Sequence, residues 1–421
     1  MSELENSLDE LMSVAEARQK MLRAFSALTP EFVELDQAYG RVLAEAVRAI
    51  HDFPHFDNSS MDGFAVRHED TTAASPSAPV SLTVISDIPA GTVSSLTLGH
   101  GQAMRIMTGA PMPAGADGVV PVEETILPES YTGNSMGYPV RITKAVHAGE
   151  NVRARGGDVH AGEVVLEAGR WLKAHDVGLI AMLGWREVTV HRRPVIAVLS
   201  TGDELIPPGS AWSPGKIYES NIYMVGTMVE KYGGKLVSLG IAPDQPEAVK
   251  SALDRAVEQQ VDLILSTAGV SVGEFDYVRR VVEAYGSLEF WRVNMRPGKP
   301  LAFGWYRGVP FAGLPGNPVS AFTGFEVFVR PAILKMLGVR GLQRKTIRVK
   351  TLERIVSDGR ESYVRAIVEP EADEWTARVI PNQGSGNLRS LVQANALLLV
   401  PSGVKSLPIG ALVDAWLLDE I

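Results

Sequence analysis

The sequence has no cysteine, which excludes disulfide bonds, thiolate metal ligands and a cysteine nucleophile. Any metal is therefore expected to be hard and oxygen-bound. Basic charge is not in excess: the formal net charge over 421 residues is -9, whereas nucleic acid or an anionic membrane as main partner would need a basic face. An anionic substrate must then be held by local groups. No apolar run approaches membrane-spanning length, and the opening MSELENSLDELM is acidic, without the basic and apolar regions of a secretory signal. A soluble, cytoplasmic protein is expected. Of the eight histidines, His51 and His55 stand four apart in HDFPH, without the glutamate of a zinc-protease motif and with Pro54 breaking the helix such a motif needs. All eight read as surface or packing residues. Gly-x-x-x-x-Gly-Lys-Ser/Thr is also missing, so the P-loop NTPase reading lapses, while Gly-x-Ser-x-Gly occurs as GNSMG at 133–137 and as GVSVG at 269–273.

What is present is a set of polar Gly/Pro elements, each beside an apolar stretch: LSTGDEL at 199–205, STAGVSVGEFDYV at 266–278, MRPGKP at 295–300 and AGLPGNPVSA at 312–321. An apolar strand that ends in glycine plus hydroxyl or acid residues is how an α/β sheet builds a ligand site at its carboxyl edge. Glycines let backbone N–H groups approach a ligand, and N–H groups at a following helix start favour anions. The carboxylates Asp203, Glu204, Glu274 and Asp276 share this segment with the cations Arg292, Arg296 and Lys299, so a pocket of mixed charge is expected. Acid beside base beside anion cradle points to a metal-assisted reaction on a phosphorylated substrate. Taken singly, TGDEL also reads as a turn with a solvated acid pair, and PGNP as two ordinary turns.

The length suggests about three domains. Residues 8–28 place apolar side chains at helical spacing until Thr29 and Pro30, residues 40–50 alternate like a strand, and short strands and turns continue to about residue 150. A helix over DVGLIAML and a strand over EVTVHRR follow, with a boundary near residues 193–194. Then the rhythm becomes βαβ: strands at 195–199, 236–239, 261–265 and 289–293, helices at 222–232, 245–259 and 277–285. A hairpin at 301–305 and 309–312 and a helix at 319–336 complete it. Alternation of this kind predicts a largely parallel sheet with helices on both faces. After Gly338 short strands return, as a small barrel or sandwich.

With these residues in hand, the chain resembles the molybdopterin molybdenumtransferases, the MoeA proteins and the related domain of gephyrin. The resemblance covers nearly the whole chain and rests on DNSSMDGFAV at 57–66, MTGAP at 107–111, STGDEL at 200–205, GVSVGEFDYV at 269–278, RPGKP at 296–300 and GLPGNPVSA at 313–321. It implies a multidomain α/β plus β fold: an elongated domain from 1–51 plus 151–193, holding the N-terminal helix and a β segment; a mostly-β inserted domain at 52–150 carrying DNSSMDG and MTGAP; an α/β molybdopterin-binding domain at 194–338 with a mostly parallel sheet; and a C-terminal β-barrel-like domain at 339–421. It further implies a homodimer with the cleft shared between subunits, and a magnesium-dependent transferase reaction of molybdenum cofactor biosynthesis. Adenylated molybdopterin and molybdate would be the substrates and AMP a product. Contact with the molybdopterin adenylyltransferase is left open. A molybdopterin adenylyltransferase activity, suggested by the shared βαβ loops, and a non-catalytic gephyrin-like scaffold are the alternatives.

The residues that the resemblance marks as catalytic are Asp62, Thr108, Asp158, Glu204, Asp244 and Asp276, with Asp203, Glu204 and Asp276 toward the metal. Those it marks for substrate are Gly269, Ser271, Arg292, Arg296, Lys299, Pro315, Gly316, Asn317, Pro318 and Ser320. Asp62 and Asp158 also read as turn residues beside glycine, and Asp244 with Glu247 forms a D-x-x-E capping box. The chain departs from the family pattern at several places. Arg292 and Arg296 stand where lysine is usual, exchanging an ammonium for a planar guanidinium. Ala268 replaces a glycine, adding a Cβ where positive φ is expected. Ser60 and Phe64 replace Ala and Tyr, and Gly157 replaces an acid.

Overall fold

Short strands buried along their whole length require cover on both faces, and the segment from residue 195 supplies it. In the computed structural model, which describes residues 11–129, 136–269, 277–371 and 373–418, a six-stranded sheet runs in the order Lys235–Ala242, Val195–Thr201, Leu263–Thr267, Val309–Leu314, Pro300–Tyr306, Gly286–Arg292. The first four strands are parallel, and the next two pair antiparallel. On one face, Pro246–Glu258 buries Val249, Ala252, Leu253 and Ala256, and Tyr277–Tyr285 buries Val278, Val281 and Val282. These are helical spacings, and each of the buried valines and the leucine contributes about 1.5–3 kcal/mol. The other face is covered by Asn221–Lys231, by the helices at Pro318–Gly324 and Arg330–Met336, and by the N-terminal helix Val14–Arg23. That last helix starts at Val14, where Ser13 and Glu16 close a reciprocal capping box, and residues 8–10 of the expected span lie outside the described residues.

Two compact units are formed. One comprises the chain up to Glu45, Gly169–Lys173 and the chain from Thr189 onward; the other comprises Ala46–Ala168 and Ala174–Val188. The second unit holds a six-stranded sheet in the order Gly118–Pro121, Gly63–Val66, Gln102–Ile106, Val80–Ile88, Pro139–Ile142, Thr125–Ile126. The C-terminal segment of the first unit closes a five-stranded barrel. Glu361–Glu371 pairs with Glu374–Val379 on one side and Ala396–Val400 on the other, and Ile347–Thr351 and Leu412–Leu417 complete the circuit. Its interior is filled by Val349, Val364, Ala366, Val368, Leu398 and Val400. The fold is thus multidomain α/β plus β, with the C-terminal barrel closed. No helix among the described residues is long and apolar enough to cross a membrane.

Two elements differ from their sequence pattern. Residues 40–50 do not form one strand: Val47–Arg48 pairs with Val164–Leu166, while Val42 and Leu43 bridge singly to Trp171 and Val190. The segment changes partners where it passes from one unit to the other, so no single ladder can run through it. The helix expected over 319–336 is interrupted at Phe325–Val329, which winds as a π-helix. Glu326, on that turn, is buried against Arg344 (Nε to Oε2, 3.0 Å) and accepts from the Tyr232 hydroxyl at 2.8 Å. Burial first, then the Glu326 charge, push the Tyr232 phenol up to about 12. The Arg344 guanidinium also donates to the Leu417 carbonyl, tying a barrel strand to the π turn.

Candidate functional site

In the smaller unit, two motifs remote in sequence are one hydrogen-bonded structure. Gly109 N donates to the Ser59 carbonyl at 2.8 Å, Ser59 N to the Ala110 carbonyl at 3.0 Å, and Met112 N to the Asp57 carbonyl at 2.9 Å. The DNSSMDG and MTGAP loops are thereby zipped together. Asp62 Oδ1 accepts from both the backbone N and the hydroxyl of Thr108, each at 2.7 Å. These bonds hold the exposed Asp62 carboxyl below the usual carboxylate range, the backbone N–H contributing most. Gly63 is required beside it, since a Cβ there would lie 2.0 Å from the Val120 carbonyl oxygen. Asp158 lies in the same unit, exposed, with its N–H bonded to the Phe53 carbonyl at 3.0 Å. The chain leading to it runs beside the DNSSMDG loop, with Arg153 paired to Asn58 and Arg155 N donating to Asp57 Oδ1 at 2.7 Å.

In the larger unit, the strand registers bring the sequence motifs to one sheet edge. Thr201 pairs with Ala242, Ser200 with Thr267, Thr267 with Leu314, and Arg292 with Pro300, so the loops at 202–204, 243–244, 268–269, 293–299 and 315–317 all leave from the same side. The chain order reverses between Val195–Thr201 and Leu263–Thr267, and such a switch point opens a crevice for ligands. Among the described residues of these loops the charges are sorted along the edge. Carboxylates gather at one end: Asp203 N and Asp244 Oδ2 lie 3.4 Å apart, Asp244 N donates to Asp203 Oδ1 at 3.1 Å, and the Glu204 carboxylate folds back over Gly202, where a Cβ would meet it at 2.5 Å. Burial first, then the charges of Asp203 and Glu204, raise the Asp244 carboxyl above its ordinary value. Its capping role is not realised: Gln245 is the N-cap of Pro246–Glu258, with Pro246 opening the helix. Glu274, Asp276 and Ser271 lie outside the described residues.

Between the two ends, close packing dictates the small residues. Ala268 takes φ +75°, the left-handed conformation expected of the glycine it replaces, and its N–H donates to the Leu314 carbonyl at 3.1 Å. Gly269 has φ +70°, and a Cβ there would come within 2.3 Å of Val278 Cγ2. Gly316 faces Ala268, whose Cβ would sit 3.1 Å from any Cβ at 316, and its carbonyl accepts from Asn221 Nδ2 at 2.7 Å. Asn317 caps Pro318–Gly324, with Pro318 in the first turn, and Asn317 Nδ2 donates to Ser385 Oγ at 3.1 Å.

Cations gather at the other end, where Met295–Arg296 pairs with Glu361 and Ser362 of the barrel. A cavity of about 520 Å³ there is lined by Arg296, Lys299, Pro315, Asn317 and Ser320 from the sheet edge and by barrel residues including Gln383 and Ser385. Arg292 stands at the strand end beside it in sequence but is not among the lining residues. Arg296 also reaches Asp358 Oδ2 at 3.8 Å. The residue that the sequence pattern did not single out is Arg365. It is 1% exposed, Gln383 bonds its backbone N and O, and its Nε and Nη1 have no partner. Burial, then the Arg296 charge, lower its guanidinium to about 10. In SYVRAIV one face, Val364, Ala366 and Val368, fills the barrel, and Arg365 lies on the opposite face with the buried Tyr363 and the half-buried Ile367.

A switch-point α/β domain with carboxylates at one end of its edge and, at the other, the exposed Arg296 and Lys299 beside the buried Arg365, joined to a closed β-barrel, defines a multidomain protein whose sheet edge suits an anionic ligand. Residues 12–184 match the "MoeA N-terminal region (domain I and II)", 197–335 the "Probable molybdopterin binding domain" and 348–418 the "MoeA C-terminal region (domain IV)". "Molybdopterin molybdenumtransferase 2" of Mycobacterium tuberculosis is 39% identical over 417 residues, covering 96% of this chain and 99% of that protein. The "Molybdopterin molybdenumtransferase" of a Nostoc species is 37% identical over 380 residues, 89% of this chain and 85% of that one. The crystal structure of the "molybdopterin biosynthesis moeA protein" from Pyrococcus horikoshii OT3 superposes with a TM-score of 0.81 at 32% identity, over 97% of this chain and all (100%) of that chain. The chain belongs to the MoeA family.

Proposed function

We propose that the protein is a molybdopterin molybdenumtransferase, which takes adenylated molybdopterin and molybdate, inserts molybdenum into the pterin dithiolene and releases AMP. The observation that carries this is the full-length correspondence with molybdenumtransferases, from the DNSSMDG and MTGAP loops through to the barrel. An adenylyltransferase would need only the βαβ segment, and a pure scaffold would not need Asp62, Glu204 and the cations of the RPGKP loop.

Each end of the sheet edge has a part in this chemistry. Arg296, Lys299 and the unpaired N–H groups of Arg365 are proposed to hold molybdate, because buried donors without partners are satisfied by an oxyanion. Gly269 and the 315–318 turn offer close backbone approach to the phosphates. Asp203, Glu204 and Asp244 are proposed to hold magnesium, with Asp276 as a further ligand. Among the described residues no three such side chains converge as a ready-made metal cage, yet magnesium is commonly held by one or two carboxylates plus substrate phosphate. Burial and the neighbouring charges of Asp203 and Glu204 together raise Asp244, and a divalent cation at that place would offset those charges. When bound, the metal would supply neutralisation of charge on the phosphate being cleaved. Asp62, oriented by Thr108, is proposed to act in a cleft completed by a second copy of the chain, with Asp158 in the same loop group.

The test is the reaction. Purified protein given adenylated molybdopterin, molybdate and magnesium is expected to form molybdenum cofactor and AMP in equal amounts, and to stop on chelation. Production of the adenylate from ATP and molybdopterin, with no need for molybdate, would replace this reading with the adenylyltransferase one.

A further inference from the structure

The turn that carries Asp158 is fastened at both ends by carboxylates to which the proposed reaction gives no part. At one end Asp57 Oδ1 accepts from Arg155 N at 2.7 Å. At the other, Asp52 Oδ1 accepts from Ala161 N at 2.9 Å, while Asp52 Oδ2 takes the Arg155 side chain, Nε at 2.8 Å. Asp158 lies midway in sequence between Arg155 and Ala161. The N–H groups in between also bond to the 52–57 segment: Gly156 N to the Pro54 carbonyl at 3.0 Å, and Asp158 N and Val159 N to the Phe53 carbonyl at 3.0 and 3.1 Å. Gly156 and Gly157 bring no side chain of their own, and a Cβ at 156 would lie 2.7 Å from His160 Nδ1. The turn is therefore held from the 52–57 segment. The bond from Ala161 N first, then the one from Arg155, keep the Asp52 carboxyl below its ordinary range, so it stays an acceptor.

Residue 57 also serves the MTGAP side of the loop group. Its carbonyl accepts from Met112 N at 2.9 Å, so one residue joins that segment through its backbone and the Asp158 turn through its side chain. Asp62 and Thr108 lie on the two segments joined at residue 57. An exposed carboxylate in such a loop invites a chemical role, as metal ligand or base. A carboxylate oxygen fixed by a backbone N–H instead serves geometry, and a small displacement of a catalytic group lowers the rate. Resting on the molybdenum-insertion reading and on the part given there to Asp158, we propose that Asp57 and Asp52 are positioning residues, a two-carboxylate clasp that sets the Asp158 turn against the loops of Asp62 and Thr108.

The test uses the difference between an amide and a carboxylate: an asparagine oxygen still accepts an N–H, but it supplies neither a charge for a metal nor a base. Cofactor synthesis by the full chain is followed over a range of adenylated molybdopterin, with molybdate and magnesium in excess. Asp57→Asn is expected to keep kcat within about twofold of wild type, whereas Asp57→Ala should lower kcat about tenfold with KM and the urea midpoint unchanged. Asp52→Ala should repeat the Asp57→Ala pattern from the other anchor, and it carries the test if Asp57→Ala fails to fold. On the residual activity of Asp158→Ala, adding Asp57→Ala should bring no further loss, because an anchor acts only through what it holds. A loss in Asp57→Asn as deep as in Asp57→Ala would make the carboxylate chemical and overturn the proposal. So would an equal added loss in the Asp158→Ala background, which would make the role merely structural, or full activity of Asp158→Ala itself. Any of these with normal synthesis by wild type sinks the clasp alone, whereas a wild type that makes no cofactor sinks the molybdenum-insertion reading beneath it.

Discussion

At the scale of single residues, the two ends of the sheet edge store opposite costs. Asp244 is held above its ordinary value by burial and by Asp203 and Glu204. A raised acid is best tolerated neutral, so what it contributes to stability is fully present below its unfolded value and is lost as pH rises through the folded one. Asp244→Asn should therefore melt at or above the wild-type temperature near neutral pH in metal-free buffer, followed by circular dichroism, with the difference closing as the pH falls through the carboxylate range. A variant that melts clearly below wild type at neutral pH would mean that the charge is already compensated. Arg365 is the cationic counterpart, buried with two guanidinium nitrogens, Nε and Nη1, unpartnered. Replacing an uncompensated buried charge by an apolar chain of similar length is commonly neutral or stabilising. Arg365→Met is thus expected to unfold at the same or higher urea concentration, yet to bind molybdate about tenfold more weakly. Unchanged molybdate affinity would remove Arg365 from the site. Asp62, Thr108 and Glu204 could be named as candidates from local motif, whereas Arg365 could not, because its neighbours Arg296 and Gln383 reach it only through tertiary packing.

At the scale of elements, the loops after two neighbouring strands constrain each other. Ala268 occupies a left-handed position and faces Gly316 so closely that a methyl at 316 would lie 3.1 Å from its Cβ. Gly316→Ala should cost about 1–3 kcal/mol in urea denaturation, and most of that should return in the Gly316→Ala, Ala268→Gly double variant, which frees both the contact and the φ angle. An equal loss in both backgrounds would mean that the two loops are not coupled. The positive φ at 268 was readable in advance, since a glycine-for-alanine departure sits where the backbone turns. The βαβ elements were readable too, because their apolar spacing matches the faces they bury. The interruption at Phe325–Val329 was not, since the cause is a buried glutamate whose arginine and tyrosine partners come from elsewhere in the chain. The capping-box pattern at Asp244 misled for a related reason: a short-range signal yielded to a bond with Asp203, 41 residues away.

At the scale of the whole molecule, Asp62 and Glu204 fall in different units of one chain, and the proposed dimer makes them partners across subunits. If the cleft is shared in that way, mixing an Asp62→Ala chain with a Glu204→Ala chain should restore about a quarter of wild-type activity under random pairing, because an isologous interface regenerates one intact site in each mixed dimer. No recovery after subunit exchange, with dimers confirmed by light scattering, would place the whole site within one chain. The sequence by itself determined the absence of cysteine chemistry, the α/β plus β architecture and the identity of the motif loops, since composition, periodicity and turn-forming residues act over a few positions. Only the tertiary structure decided that DNSSMDG and MTGAP are one hydrogen-bonded unit, that acids and cations are sorted to opposite ends of a single sheet edge, and that Arg365 lies buried beside Arg296. Those facts depend on strand order and register, which are set by long-range burial that no local stretch of sequence encodes.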